Sequence, residues 1–97
     1  MTQSEATREA ESVHPPVLIL GRDTCEDTMR SRGYLRDQGI PYSYRNVELD
    51  ADADAWNRSF NAGDRVTPVI LVGDPETPTH VLVEPSDDDL GAAIRGG

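Results

Sequence analysis

Two continuous apolar runs, Val17-Leu18-Ile19-Leu20 and Val69-Ile70-Leu71-Val72, start fifty-two positions apart in a chain otherwise rich in charge and turn-formers. The first lies between Pro15-Pro16 and Gly21, and a run of that length without a polar interruption suits a central strand buried on both faces. The second opens on Thr67-Pro68 and closes on a loop, Gly73-Asp74-Pro75-Glu76-Thr77-Pro78, after which His80-Val81-Leu82-Val83 returns as a strand. These last two runs predict an antiparallel hairpin.

Between the apolar runs the chain offers two helices and a strand. From Cys25 to Gln38 there is no proline, and Gly39 follows, so the boundaries predict a helix although Met29, Tyr34 and Leu35 make no clean stripe. Tyr42 to Leu49 alternates imperfectly and predicts a strand with one irregularity. Asp50 or Asp52 is placed to cap a helix from Ala53 to about Phe60, whose Trp56 and Phe60 fall on one core-facing side. Ser86 with Asp89 predicts the capped start of a last helix with Leu90, Ala93 and Ile94 on its apolar face. The order is β-α-β-α-β-β-α, an α/β fold with a four-stranded mixed sheet and helices on both faces. Helical crossovers predict that the first two strands are parallel, and likewise the second and third.

The 97 residues make one domain, large enough to fold without disulfides or metals. Residues 1–15 are polar and acidic and read as a tail, with the domain at 16–97. A net charge of -9, with all nine basic residues arginine, argues against a nucleic-acid partner, because phosphate binding draws on basic side chains. Arg30, Arg32 and Arg36 fall on one helix, either as a solvated face or as a local basic patch near Cys25. There is neither a bilayer-length apolar run nor a signal-peptide pattern, and one cysteine suits a reducing compartment. A cytoplasmic monomer with no membrane partner is the expectation.

Cys25, the single cysteine, stands where the first strand breaks through Gly21-Arg22-Asp23-Thr24 into a helix. Free N–H groups and the positive end of the helix dipole favour a thiolate there. Thr28 occupies the position that a second cysteine would hold in a C-x-x-C motif.

This order, with Cys25 at the first strand-to-helix junction and Thr67-Pro68 opening the third strand, resembles the glutaredoxin branch of the thioredoxin fold, from about Val17 to Ile94. Asn61-Ala62-Gly63-Asp64-Arg65-Val66-Thr67-Pro68-Val69 and Glu84-Pro85-Ser86-Asp87 look most like the mycoredoxins of actinobacteria, and an arginine-only composition suits a high-GC genome. The resemblance implies that Cys25 attacks a mixed disulfide between a protein and a small thiol. It implies further that Thr67, before a cis Pro68, presents its backbone to the ligand as a strand would. Arg22 would favour the thiolate, Val66 would line the ligand groove, Arg65 would either line it or pair with Asp64 or another surface carboxylate, and Ser86 and Asp87 would grip the ligand's polar end.

The chain departs from that pattern at Cys25-Glu26-Asp27-Thr28. One thiol leaves a monothiol cycle completed by a second small thiol, and Thr28 is placed to donate its hydroxyl to the thiolate. Glu26 and Asp27 oppose a neighbouring thiolate and repel acidic ligands, which favours mycothiol over glutathione. Glu26-Asp27-Thr28 does not match the Cys-Gly-Phe-Ser motif of cluster-binding relatives, and no metal is expected. The function implied is a monothiol thiol-disulfide oxidoreductase acting on thiol-modified proteins. The alternative is a redox-inactive module that binds through the same groove.

Overall fold

β1 (Val17–Gly21) is buried along its whole length and lies inside the sheet, as its uninterrupted apolar run predicts. The computed structural model describes residues 14–96, so most of the expected tail lies outside the described residues. After β1 come α1 (Glu26–Asp37), β2 (Ser43–Asn46), α2 (Ala51–Ser59), β3 (Val69–Asp74), β4 (Thr77–Val83) and α3 (Asp87–Gly96). The sheet order is β2-β1-β3-β4.

β1 pairs parallel with β2, from Leu18 opposite Ser43 to Gly21 opposite Asn46. It pairs antiparallel with β3, from Val17 opposite Val72 to Leu20 opposite Val69. β3 is therefore antiparallel to β2 as well, which corrects the expectation that those two strands run parallel. β2 ends and β3 begins at the same end of the sheet, beside the C-terminus of β1. The connection through α2 therefore returns to its starting end instead of crossing the sheet. β3 and β4 form the expected hairpin, with a bulge between Val72 and Gly73.

The side chains of β1 divide the core in two. Val17 and Ile19 meet Leu35 of α1, Ile70 and Val72 of β3, and Leu90, Ala93 and Ile94 of α3. Leu18 and Leu20 meet Val69, Leu71, Val47 and Ala53 on the other face, where Trp56 and Phe60 of α2 pack against them. This alternation follows from the two-residue period of a strand.

Local signals account for the helix starts. The Asp50 carboxylate accepts the Ala53 N–H at 3.1 Å, and the Ser86 hydroxyl accepts the Asp89 N–H at 3.1 Å. α1 buries Thr28, Ser31 and Leu35. Two of these are small polar residues, which explains why its sequence shows no apolar stripe. β2 is shorter than Tyr42 to Leu49, because the Leu49 N–H turns back to the Asn46 carbonyl at 3.1 Å and leaves Leu49 84 % exposed. Among the described residues, no helix is long and apolar enough to cross a membrane.

Candidate active site

The pairing of β1 with β2 and β3 gathers three loops at one end of the sheet: the exit from β1, the exit from β2, and the segment entering β3. Cys25 is the N-cap of α1 in extended backbone geometry. Its Sγ lies 3.5 Å from the Thr67 carbonyl oxygen. Thr67-Pro68 is a cis peptide bond, as the resemblance implies.

Arg22 binds both threonine hydroxyls that face the sulfur. Its Nε donates to Thr67 Oγ1 at 3.3 Å, and its backbone N–H donates to Thr28 Oγ1 at a longer 3.5 Å. A hydroxyl that accepts from one side keeps its own hydrogen for another partner. Burial pushes the Cys25 thiol up, but hydrogen bonds from Thr67, from the Thr28 hydroxyl and from the backbone of Thr28 and Asp27 outweigh it. The net effect holds the thiol below its ordinary value, with hydrogen bonding to the charged form as the dominant lowering cause.

Thr28 is fully buried. It occupies the space above Gly21, where a Cβ would stand 2.6 Å from Thr28 Cγ2 and 2.7 Å from Oγ1. Glycine at 21 and threonine at 28 are thus one packing unit.

The acidic neighbours are partly compensated. Asp27 pairs with Arg30 at 2.8 Å, and Arg30 also donates to the Pro85 carbonyl at 3.2 Å. Glu26 stays exposed. Arg22 reaches Glu48 at 3.7 Å and Thr24 Oγ1 at 3.4 Å, so its charge is shared. Of Arg30, Arg32 and Arg36, the first and last are exposed on α1, whereas Arg32 is engaged by its neighbours. Arg32 donates to the Tyr42 hydroxyl at 3.1 Å, pairs with Asp23 at 3.5 Å and lies 4.0 Å over the Tyr44 ring.

The structure therefore brings together Cys25, Thr28, Arg22, Thr67 and Pro68. Arg65 is turned to Asp54, which it meets at 2.8 Å. Ser86 caps α3, and Asp87 approaches α1 through Arg30 at 3.9 Å. Val66 is gripped by Asn57, whose Oδ1 accepts the Val66 N–H at 3.0 Å and whose Nδ2 donates to the Val66 carbonyl at 2.7 Å. Asn57 and Gly21 escape the sequence reading. The signal for Asn57 is a polar residue one helical turn after Ala53 on the face that meets the sheet.

A shallow groove between β4 and α3, lined by His80, Leu82, Pro85, Asp89 and Ala93 among others, does not include Cys25. Among the described residues, no group of three His, Cys, Asp or Glu side chains is placed to hold a metal ion.

The fold is that of the glutaredoxin class of α/β proteins, a four-stranded mixed sheet with three helices. In particular, the solution structure of glutaredoxin from Brucella melitensis superposes with a TM-score of 0.61 at 16% sequence identity, covering 88% of this chain and 95% of that one. No protein-family model matches the chain, and no curated protein matches it by sequence.

Proposed function

We propose that the protein is a monothiol thiol-disulfide oxidoreductase that reduces protein mixed disulfides through Cys25. The observation that carries this reading is the pair of threonine hydroxyls, both held by Arg22, at a half-buried thiol below its ordinary pKa. Such a sulfur is partly accessible and favours the nucleophilic thiolate, the combination that thiol exchange needs.

In the first step the Cys25 thiolate attacks the small-thiol sulfur of a protein mixed disulfide. The new bond joins Cys25 to the small thiol, and the protein leaves as a thiolate that takes up a proton. In the second step a free small-thiol thiolate attacks that adduct, releasing the oxidised small-thiol dimer and restoring the Cys25 thiolate. The number of disulfide bonds is unchanged over the cycle: the sulfur of the free small thiol is oxidised as the protein's sulfur is reduced, and the bond passes from the protein mixed disulfide to the small-thiol dimer. Thr28 takes no part in electron transfer. It stabilises the thiolate as attacking and leaving group.

Mycothiol, a neutral sugar thiol, is the proposed small thiol ahead of glutathione, whose carboxylates meet Glu26 and a chain of net charge -9. With Arg65 paired to Asp54, one candidate cation for those carboxylates is already engaged. Thiol-modified proteins are the proposed substrates, in the cytoplasm, with the protein acting as a monomer.

The test mixes reduced protein with a mycothiol mixed disulfide, and separately with a glutathione one, and follows intact mass beside Cys25→Ser. One small-thiol adduct on the wild type alone, reversed by added free thiol and faster with mycothiol, is expected. No adduct from either reagent contradicts the reading.

A further inference from the structure

Asn57 is fully buried, yet it has a polar side chain on the face of α2 that packs against the sheet. A buried carboxamide is retained at low cost only where its groups are bonded. Both ends are used on one residue, as an adjoining strand would use it: the Val66 N–H at 3.0 Å and the Val66 carbonyl at 2.7 Å. The same Nδ2 lies 3.5 Å from the Leu20 carbonyl, near the end of β1. One side chain thus ties together the two segments that meet at Cys25.

The grip has a directional consequence. The Val66 carbonyl and the Thr67 N–H belong to one peptide plane and point in opposite directions. With the carbonyl drawn toward α2, the Thr67 N–H is aimed away from α2, toward the side of the sheet where α1 and Cys25 lie. Thr67 is only 6 % exposed, and among the described residues its N–H has no hydrogen-bond partner. A nearly buried donor without a partner is a donor that awaits one.

We propose that Asn57 is a positioning residue: by holding Val66 at both backbone groups, it aims the free Thr67 N–H at a backbone carbonyl of an extended peptide bonded to the Cys25 sulfur. The clamp fixes the register of an extended ligand without touching it. The part concerning a ligand rests on the thiol-exchange reading above.

Two measurements test it. In the wild type, amide hydrogen exchange should show Val66 protected and Thr67 open. A Val66 amide exchanging as freely as Thr67 overturns the clamp. In Asn57→Val, confirmed folded by circular dichroism, adduct formation with a peptide mixed disulfide should fall about tenfold, the loss expected for a displaced hydrogen bond. Alkylation of Cys25 by iodoacetamide, which has no extended backbone to pair, should fall distinctly less. Equal rates for variant and wild type in both reactions, with only the melting temperature lowered, would make Asn57 a purely structural residue. If Asn57→Val does not fold, the wild-type protection pattern decides. If the wild type forms no adduct at all, the exchange reading fails, while the Val66 and Thr67 amides still decide the clamp.

Discussion

The guanidinium Nε of Arg22 donates to the Thr67 hydroxyl across 3.3 Å, joining a residue three before Cys25 to one that enters the sheet forty-five residues after it. The Thr67 carbonyl oxygen lies 3.5 Å from the Cys25 sulfur, and the Thr67 hydroxyl is among the groups that hold the thiol below its ordinary value. Arg22 thus reaches the thiol's surroundings through the hydroxyl it orients, while its charge is shared with Glu48 at 3.7 Å.

Removing that hydroxyl should be costly to reactivity and nearly neutral to the fold. Thr67→Val keeps the shape and deletes one hydrogen bond to an ionised sulfur, worth about 1–2 kcal/mol at this partly exposed site. The iodoacetamide alkylation rate of Cys25 at neutral pH should therefore fall several-fold to about tenfold. Arg22→Gln should lower it by less, since the hydroxyl remains. A Thr67→Val rate equal to wild type would remove Thr67 from the thiol's environment.

Gly21→Ala should destabilise the protein by about 1–3 kcal/mol, the usual cost of overpacking a filled site. Its Cβ would press on Thr28, which is fully buried and has nowhere to swing. Combining it with Thr28→Ala should recover part of the loss, because the two residues share one space. Urea unfolding of the two single variants and the double variant measures this, and simple additivity would contradict the packing unit.

Thr28→Cys should convert the site to a dithiol. Residue 28 stands three positions after Cys25 in the first turn of α1, on the same side of the helix, and cysteine is no bulkier than threonine. Mild oxidation with diamide, which takes up the two hydrogens, should produce an internal disulfide, seen as the loss of two hydrogen atoms in mass and of both titratable thiols. Two thiols persisting after oxidation would show that residue 28 does not face Cys25 closely enough.

The thiol also predicts a pH dependence of stability. Its native value lies below the ordinary 9.0, so between the two values the unfolded state holds more protons than the native state. The stabilisation relative to Cys25→Ala is present in full above the unfolded value and is lost as pH falls through the native one. Urea midpoints of the two proteins should therefore diverge in favour of the wild type as pH rises across that window. A constant difference would mean that the thiol is unperturbed.

Much of this architecture could be read from particular residues. Val17 to Leu20 and Val69 to Val72 announced buried strands because no polar residue interrupts them, and Cys25 was located by the break that follows the first. The inner face of α1 stayed hidden because Thr28 and Ser31 are small polar residues that look like surface. The direction of β3 depends on α2 and the loop after it returning to their starting end, which strand and helix order alone does not encode. Asn57 was overlooked because its partners are backbone groups of Val66, and backbone groups carry no sequence signature. For Arg65 the sequence leaves open a place in the groove or a pair with a surface carboxylate, and the carboxylate it meets, Asp54, lies eleven residues away on α2.

The central claim is that Cys25 is an accessible thiol activated by its surroundings. Its native-state alkylation by iodoacetamide, followed by mass across a pH series, tests that most directly. The account predicts modification of the folded protein with a midpoint below 9.0, moved upward in Thr67→Val. Labelling that appears only after denaturation, or a midpoint at or above the ordinary thiol value, would contradict it.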